Sequence, residues 1–145
     1  VFTFKTVLDV RVTEINYGNH VGNDRMDSLL HEARLRYLRS LGFGEFNIAG
    51  LGLMVTDLVV EFKSESFVGE NLQFEVGVTD FNKYGCDFVY KVTCADEGRL
   101  VTTAKTGIVF FDYDDRKIAR IPKKFLESIK QDISDDDKPV VKLEG

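Results

Sequence analysis

The apolar pattern of this chain changes period once, near residue 50, and that change limits the folds open to it. Between residues 23 and 41, Met26, Leu29, Leu30, Ala33, Tyr37, Leu38 and Leu41 recur at offsets of three and four. Such spacing lines one face of a helix of about four turns. From Leu53 onward the apolar residues recur at every second position, the repeat of a strand with one buried face. Thr56, Leu58, Val60 and Phe62 alternate with Asp57, Val59, Glu61 and Lys63. Leu72, Phe74, Val76 and Val78 then alternate with Gln73, Glu75, Gly77 and Thr79, and Phe88, Tyr90, Val92 and Cys94 make a third row. A helix with one apolar stripe and a run of strands with one apolar face satisfy each other when the helix lies on the sheet, which is an α+β arrangement.

Local signals set the boundaries. Val7, Val10 and Val12 mark an N-terminal strand through about Thr13. Asn23 or Asp24 can cap the helix, Asp27 suits its first turn, and Gly42 and Gly44 stop it. Turns fall at residues 68–71, 80–85 and 96–98. The last long strand, Arg99 to Tyr113, carries Ile108, Val109, Phe110 and Phe111, which predicts burial on both faces at its end. A short strand at 118–121 and a surface helix at 123–131 complete one domain over residues 1–131. The tail, residues 132–145, is acidic with few apolar side chains, and disorder is expected there.

With 145 residues and 43% hydrophobic content, the chain can bury one substantial core. Nineteen Lys and Arg against 24 Asp and Glu give a net charge of −5, which argues against sequence-independent binding to nucleic acid. No apolar run approaches the roughly 20 residues of a membrane span, and no basic segment leads into an apolar one at the N-terminus, so a soluble protein without a membrane partner is expected. Cys86 and Cys94 lie on one strand face, too far apart along it to bridge easily. They read as buried thiols in a reducing compartment, hence the cytoplasm. The pattern contains no metal cluster, P-loop or nucleophile elbow.

The densest run of Asn, Gly and His is Glu14-Ile15-Asn16-Tyr17-Gly18-Asn19-His20-Val21-Gly22-Asn23, where a strand hands over to the start of the long helix. Free N–H groups and the positive end of the helix dipole converge at such a place and stabilise a carbonyl oxygen or oxyanion. Gly18 and Gly22 let the backbone approach a ligand. The same residue types are also ordinary turn formers, so composition alone leaves a purely structural role open.

That stretch, with the following His31-Glu32-Ala33-Arg34-Leu35-Arg36-Tyr37-Leu38, resembles the signature of hotdog thioesterases of the 4-hydroxybenzoyl-CoA and acyl-CoA thioesterase type. In those an Asp-x-Asp-x-x-Gly-His-Val-Asn-Asn pattern precedes a helix bearing Glu-Ala-Arg, and the resemblance runs from about Val7 to Pro122. It implies the hotdog fold, a long central helix wrapped by a curled antiparallel sheet of about five strands. It also implies a substrate that is a thioester of coenzyme A or of an acyl-carrier protein, with no metal or redox cofactor. One departure matters: the second Asp of the pattern falls on Asn16 and the first on Glu14. An amide cannot take a proton from water, so Asn16 can position water or the carbonyl but cannot act as the base. His20 becomes the candidate base, its ordinary pKa being close to working pH. Asn23 aligns with the residue whose N–H polarises the carbonyl, and Glu14 is suited to orient His20 or activate water. Tyr17, Gly18, Lys63, Ser64 and Ser66 are the candidate substrate contacts, the last three beside the pantetheine arm. Glu32 can reach the active site across a dimer or make an ion pair on its own helix. Arg34, Arg36 and Arg39 can meet coenzyme A phosphates or form a charged outer helix face.

One helix on a curled sheet leaves an edge unpaired, and edge-to-edge pairing of two copies remedies it, so a homodimer is expected, with a tetramer of two dimers as the next assembly. Two other readings compete with the hydrolase. The loss of the Asp favours a non-catalytic acyl-thioester binding or sensing protein. An enoyl-thioester hydratase would need an Asp and His pair at its own spacing, which this sequence lacks.

Overall fold

The computed structural model describes residues 2–10, 23–44 and 47–132. In chain order the elements are β1 (Phe2–Asp9), α1 (Asn23–Ser40), β2 (Gly52–Phe62), β3 (Asn71–Thr79), β4 (Gly85–Cys94), β5 (Leu100–Asp112), β6 (Lys117–Ala119) and α2 (Lys123–Asp132). The strands form one antiparallel sheet in the order β1-β3-β4-β5-β2, with β6 paired to the end of β5. The architecture is the expected α+β one, and β6 brings the sheet to six strands.

Period-two patterning carries straight across the sheet. Phe4 faces Val76, Val76 faces Tyr90, Tyr90 faces Ala104, and Ala104 faces Val60, so one row of the inner face crosses five strands. A second row runs through Val78, Phe88, Thr106 and Leu58. The stripe of α1 is buried against this face, with Met26, Leu29, Leu30, Ala33, Tyr37 and Leu38 removed from solvent. Tyr37 stacks on Phe4 at 5.3 Å and meets Phe88 edge-on at 6.3 Å between ring centres, which seats the helix over the β1, β3 and β4 columns.

The helix stops where the sequence signals it. Gly42 has φ of +87°, its N–H donates to the Arg39 carbonyl at 3.0 Å, and the Phe43 N–H donates to the Leu38 carbonyl at 2.9 Å. This is the left-handed cap that glycine adopts without steric cost. Phe43 then packs on Phe125 of α2, and Phe125 lies 5.1 Å from Phe110. The expected surface helix is therefore anchored in the core through buried Phe125 and Ile129.

Three expectations are corrected. Thr56 does not share a face with Leu58: the register slips between Val55, opposite Ile108, and Asp57, opposite Gly107, leaving Thr56 as the extra residue of a bulge. The end of β5 is not buried on both sides. Ile108 and Phe110 are buried toward the helices, whereas Val109 and Phe111 are half-buried, because among the described residues no second layer covers the outer face. Cys86 and Cys94 are buried free thiols. β1 ends at Asp9, short of the expected Thr13, with Val10 already outside the strand; residues 11–13 and the tail from residue 133 lie outside the described residues. No helix among the described residues is long and apolar enough to cross a membrane.

Candidate active site

Five of the residues singled out from the sequence, Glu14, Asn16, Tyr17, Gly18 and His20, lie outside the described residues. Their neighbour Asn23 is the first residue of α1. Its N–H belongs to the first turn, whose donors have no carbonyl partner within the helix, and the helix dipole adds positive potential there. Arg39 in the last turn complements the opposite pole. In general, such a helix start can stabilise a carbonyl oxygen in which negative charge develops.

One helical row leads from that start into the protein through Asp27, Leu30, Arg34 and Leu38, at steps of three and four. Arg34 is only 5% exposed, between the fully buried Leu30 and Leu38. Its Nη1 donates to the Tyr90 hydroxyl at 3.1 Å. Burial pushes the Tyr90 phenol up, while the Arg34 charge and the Thr106 hydroxyl pull the other way. A buried guanidinium needs such partners, because stripping its hydration is costly. The charged outer helix face expected for Arg34 is therefore wrong. The signal lay in the sequence, since position 34 stands four residues from both Leu30 and Leu38 on the apolar stripe.

Arg36 turns the other way. Its Nη1 donates to Thr6 Oγ1 at 2.8 Å and to the Val7 carbonyl at 3.1 Å, tying α1 to β1. Its Nε donates to Glu32 Oε2 at 3.0 Å, so Glu32 makes the ion pair on its own helix. Arg39 is exposed.

Beyond β2, the Lys63 and Ser64 N–H groups donate to the Val101 carbonyl at 2.8 and 3.2 Å. Ser64 Oγ donates to the Leu100 carbonyl at 2.7 Å and accepts from Arg99 Nη1 at 3.0 Å. Ser66 is buried. The Lys63 ammonium is exposed and holds Glu61 Oε2 at 2.9 Å, which lowers the Glu61 carboxyl. Arg99 pins this loop by also bonding the Glu65 carbonyl, Glu70 and Glu97. Glu70, Cys94 and Glu97 bring three ligand atoms within 4.8 Å of one another, but the Arg99 guanidinium already bridges the two carboxylates.

A further charged group lies on the outer face, away from α1. Lys105 Nζ holds Asp57 Oδ2 at 2.8 Å and stands 4.0 Å from Asp87. Its hydrogen bond lowers the Asp57 carboxyl, whereas burial raises that of Asp87 against the Lys105 charge. Asp57 also accepts the Gly107 N–H, next to the bulge at Thr56. The group links β2 to β5 and stands beside β4.

Comparisons with known proteins bear on the family and the fold. The family model of the thioesterase-like superfamily matches residues 10–129. A 1,4-dihydroxy-2-naphthoyl-CoA thioesterase from Synechocystis superposes with a TM-score of 0.81 at 21% identity, over 94% of this chain and 98% of that one. A DHNA-CoA thioesterase from Staphylococcus aureus gives 0.78 at 23% identity over 88% of each chain. A further Staphylococcus aureus protein, solved in complex with CoA, gives 0.81 at 17% identity over 97% of this chain and 89% of that one. At these identities the likeness concerns the fold. Among curated proteins none matches.

Proposed function

Because the chain belongs to the thioesterase-like superfamily and has its hotdog fold, we propose that it hydrolyses acyl thioesters of coenzyme A, with acyl-carrier-protein thioesters as the related substrates. The observation that carries this reading is the start of α1 at Asn23, directly after the family-like segment that holds Asn16 and His20. The thioester oxygen points to the Asn23 N–H, which stabilises the charge that develops as the carbonyl carbon becomes tetrahedral. His20 takes a proton from water oriented by the Asn16 carboxamide, and Glu14 orients His20. The water oxygen bonds to the carbonyl carbon, the carbon–sulfur bond breaks, and the thiolate leaves with the proton held by His20. Tyr17, Gly18, Lys63, Ser64 and Ser66 contact the substrate, and the reaction uses no metal or redox cofactor. The CoA-bound neighbour and the two CoA thioesterases supply the support for coenzyme A as the carrier.

The protein works as a cytoplasmic homodimer in this reading, with a tetramer as the larger assembly. Asn16 in the place of a carboxylate favours a second reading, a non-catalytic protein that binds or senses acyl thioesters. A thiol-release assay over short, long and aromatic acyl-CoAs separates the two. Turnover supports the hydrolase; saturable binding of the same esters without free thiol supports the sensor.

A further inference from the structure

Residues 63–70 join β2 to β3 and carry the three candidate contacts of the pantetheine arm, Lys63, Ser64 and Ser66. The two ends of this turn are fixed by the backbone. At one end the Lys63 and Ser64 N–H groups donate to the Val101 carbonyl; at the other the Gly69 N–H donates to the Val10 carbonyl at 3.1 Å and the Val10 N–H to the Glu70 carbonyl at 2.9 Å. The middle is tied by two side chains, Glu70 and Arg99, the latter from the turn between β4 and β5. Arg99 Nη1 donates to Ser64 Oγ at 3.0 Å and to the Glu65 carbonyl, and its Nη2 donates to Glu70 Oε2. Glu70 Oε1 accepts the Phe67 N–H at 2.7 Å. One guanidinium and one carboxylate therefore hold residues 64, 65 and 67, on both sides of Ser66. Their side chains are only 28% and 18% exposed, so water competes weakly for these charge-assisted bonds. Glu97, the other carboxylate on Arg99, is 60% exposed and adds little.

We propose that Arg99 is a positioning residue for the substrate: through Ser64, Glu65 and Glu70 it holds the middle of the 63–70 turn in the shape that receives the pantetheine arm of the thioester. This rests on the preceding reading, in which that turn contacts the substrate. The Ser64 hydroxyl gives its proton to the Leu100 carbonyl and takes an N–H from Arg99, so the two bonds together set the direction of its remaining lone pair. That lone pair is an acceptor suited to an amide N–H of the kind a pantetheine arm carries. A planar fork is what the task needs. Lysine would keep a charge beside Glu70, but its single ammonium on a flexible stem lacks the rigid set of donors that meets Ser64, the Glu65 carbonyl and Glu70 at once. The backbone bonds to Val101 and Val10 do not pass through Arg99. Its loss should therefore loosen the middle of the turn and leave in place both ends, and with them the point where Val10 leads into the segment of Asn16 and His20. Binding should suffer and the chemical step should not.

Arg99→Met and Arg99→Lys test this in the full chain, by steady-state thiol release from an acyl-CoA, by calorimetric titration with free coenzyme A, and by amide hydrogen exchange at Phe67. Arg99→Met is expected to raise both KM and the Kd for coenzyme A about tenfold or more, the scale of one charge-assisted hydrogen bond lost from the frame. Its kcat should stay within about threefold of the wild type, the mark of a group that acts in binding alone. The Phe67 amide should exchange faster, and Arg99→Lys should recover little of the affinity. Should Arg99→Met fail to fold, Glu70→Gln, which keeps the volume and removes the charge, is expected to shift KM and Kd the same way. Faster exchange at Phe67 with wild-type KM and Kd would make Arg99 a structural pin and overturn the proposal. A fall in kcat at unchanged KM, or full recovery with lysine, would overturn it too. The substrate reading fails separately. A wild-type protein that binds coenzyme A without releasing thiol leaves the proposal to be decided by Kd, whereas one that does not bind coenzyme A removes both.

Discussion

Arg34 of α1 donates to the hydroxyl of Tyr90 on β4 across the helix–sheet interface, with both side chains buried. The pair joins the row that descends from Asn23 to the centre of the sheet, so the frame of the candidate site is held by polar as well as apolar contacts.

Tyr90→Phe removes one partner of a buried guanidinium without changing the packed volume. A loss of about 1–3 kcal/mol is expected, the cost of an incompletely satisfied buried group. Urea unfolding of the variant measures it. A variant as stable as the wild type would mean that Arg34 draws nothing from this bond.

Gly85 and Gly107 should respond differently to alanine. A Cβ at Gly85 would land on the backbone carbonyl of Ile108, so two strands must separate. A loss of roughly 3 kcal/mol or more is expected, in the range of severe overpacking. A Cβ at Gly107 would meet the Asp57 carboxylate instead, the far end of an exposed side chain that Lys105 holds. That variant should lose much less, about 1 kcal/mol. Thermal unfolding of both, compared directly, checks the order.

The Asp57 and Lys105 pair predicts the acid limb of stability. Lys105 holds the folded Asp57 carboxyl below its ordinary value. Its contribution is thus complete above the unfolded pKa of about 3.9 and disappears as pH falls through the depressed folded value. Asp87, raised by burial, has the opposite sign and becomes less costly on protonation. Asp57→Asn should flatten the decline of the unfolding midpoint below about pH 4, whereas Asp87→Asn should stabilise the protein near neutral pH. A wild-type curve identical to that of Asp57→Asn would remove the pair from the account.

Asn16→Asp asks whether the site already has its base. With His20 in that role, the new carboxylate should change kcat by less than tenfold. A gain of about 10²–10⁴, the usual worth of a general base, would favour the sensor reading.

The periodicities of Met26 to Leu38 and of Leu72 to Cys94 made α1, β3 and β4 legible in the sequence, because each element buries one face against the other. Gly42 marked the helix stop for a steric reason that needs no tertiary context. The bulge at Thr56 was not legible, since it is a property of how β2 pairs with β5, a strand distant in sequence. Nor was the exposure of Leu58 and Phe62, because alternation marks a face without saying what covers it. Arg34 was misread for a related reason: charge suggested solvent, while its place on the stripe demanded burial. For the site, the sequence supplied the segment and the structure supplies the helix start at Asn23. The roles of Glu14, Asn16 and His20 belong to the proposal.

The most direct measurement is kcat/KM of the wild type and of His20→Ala for the best acyl-CoA ester, followed from pH 5 to pH 9. The account predicts a wild-type rate that rises as an imidazole loses its proton, and a fall of about 10²–10⁴ in a variant that still folds. Equal rates for the two proteins, or no thiol released by the wild type from any ester, would contradict it.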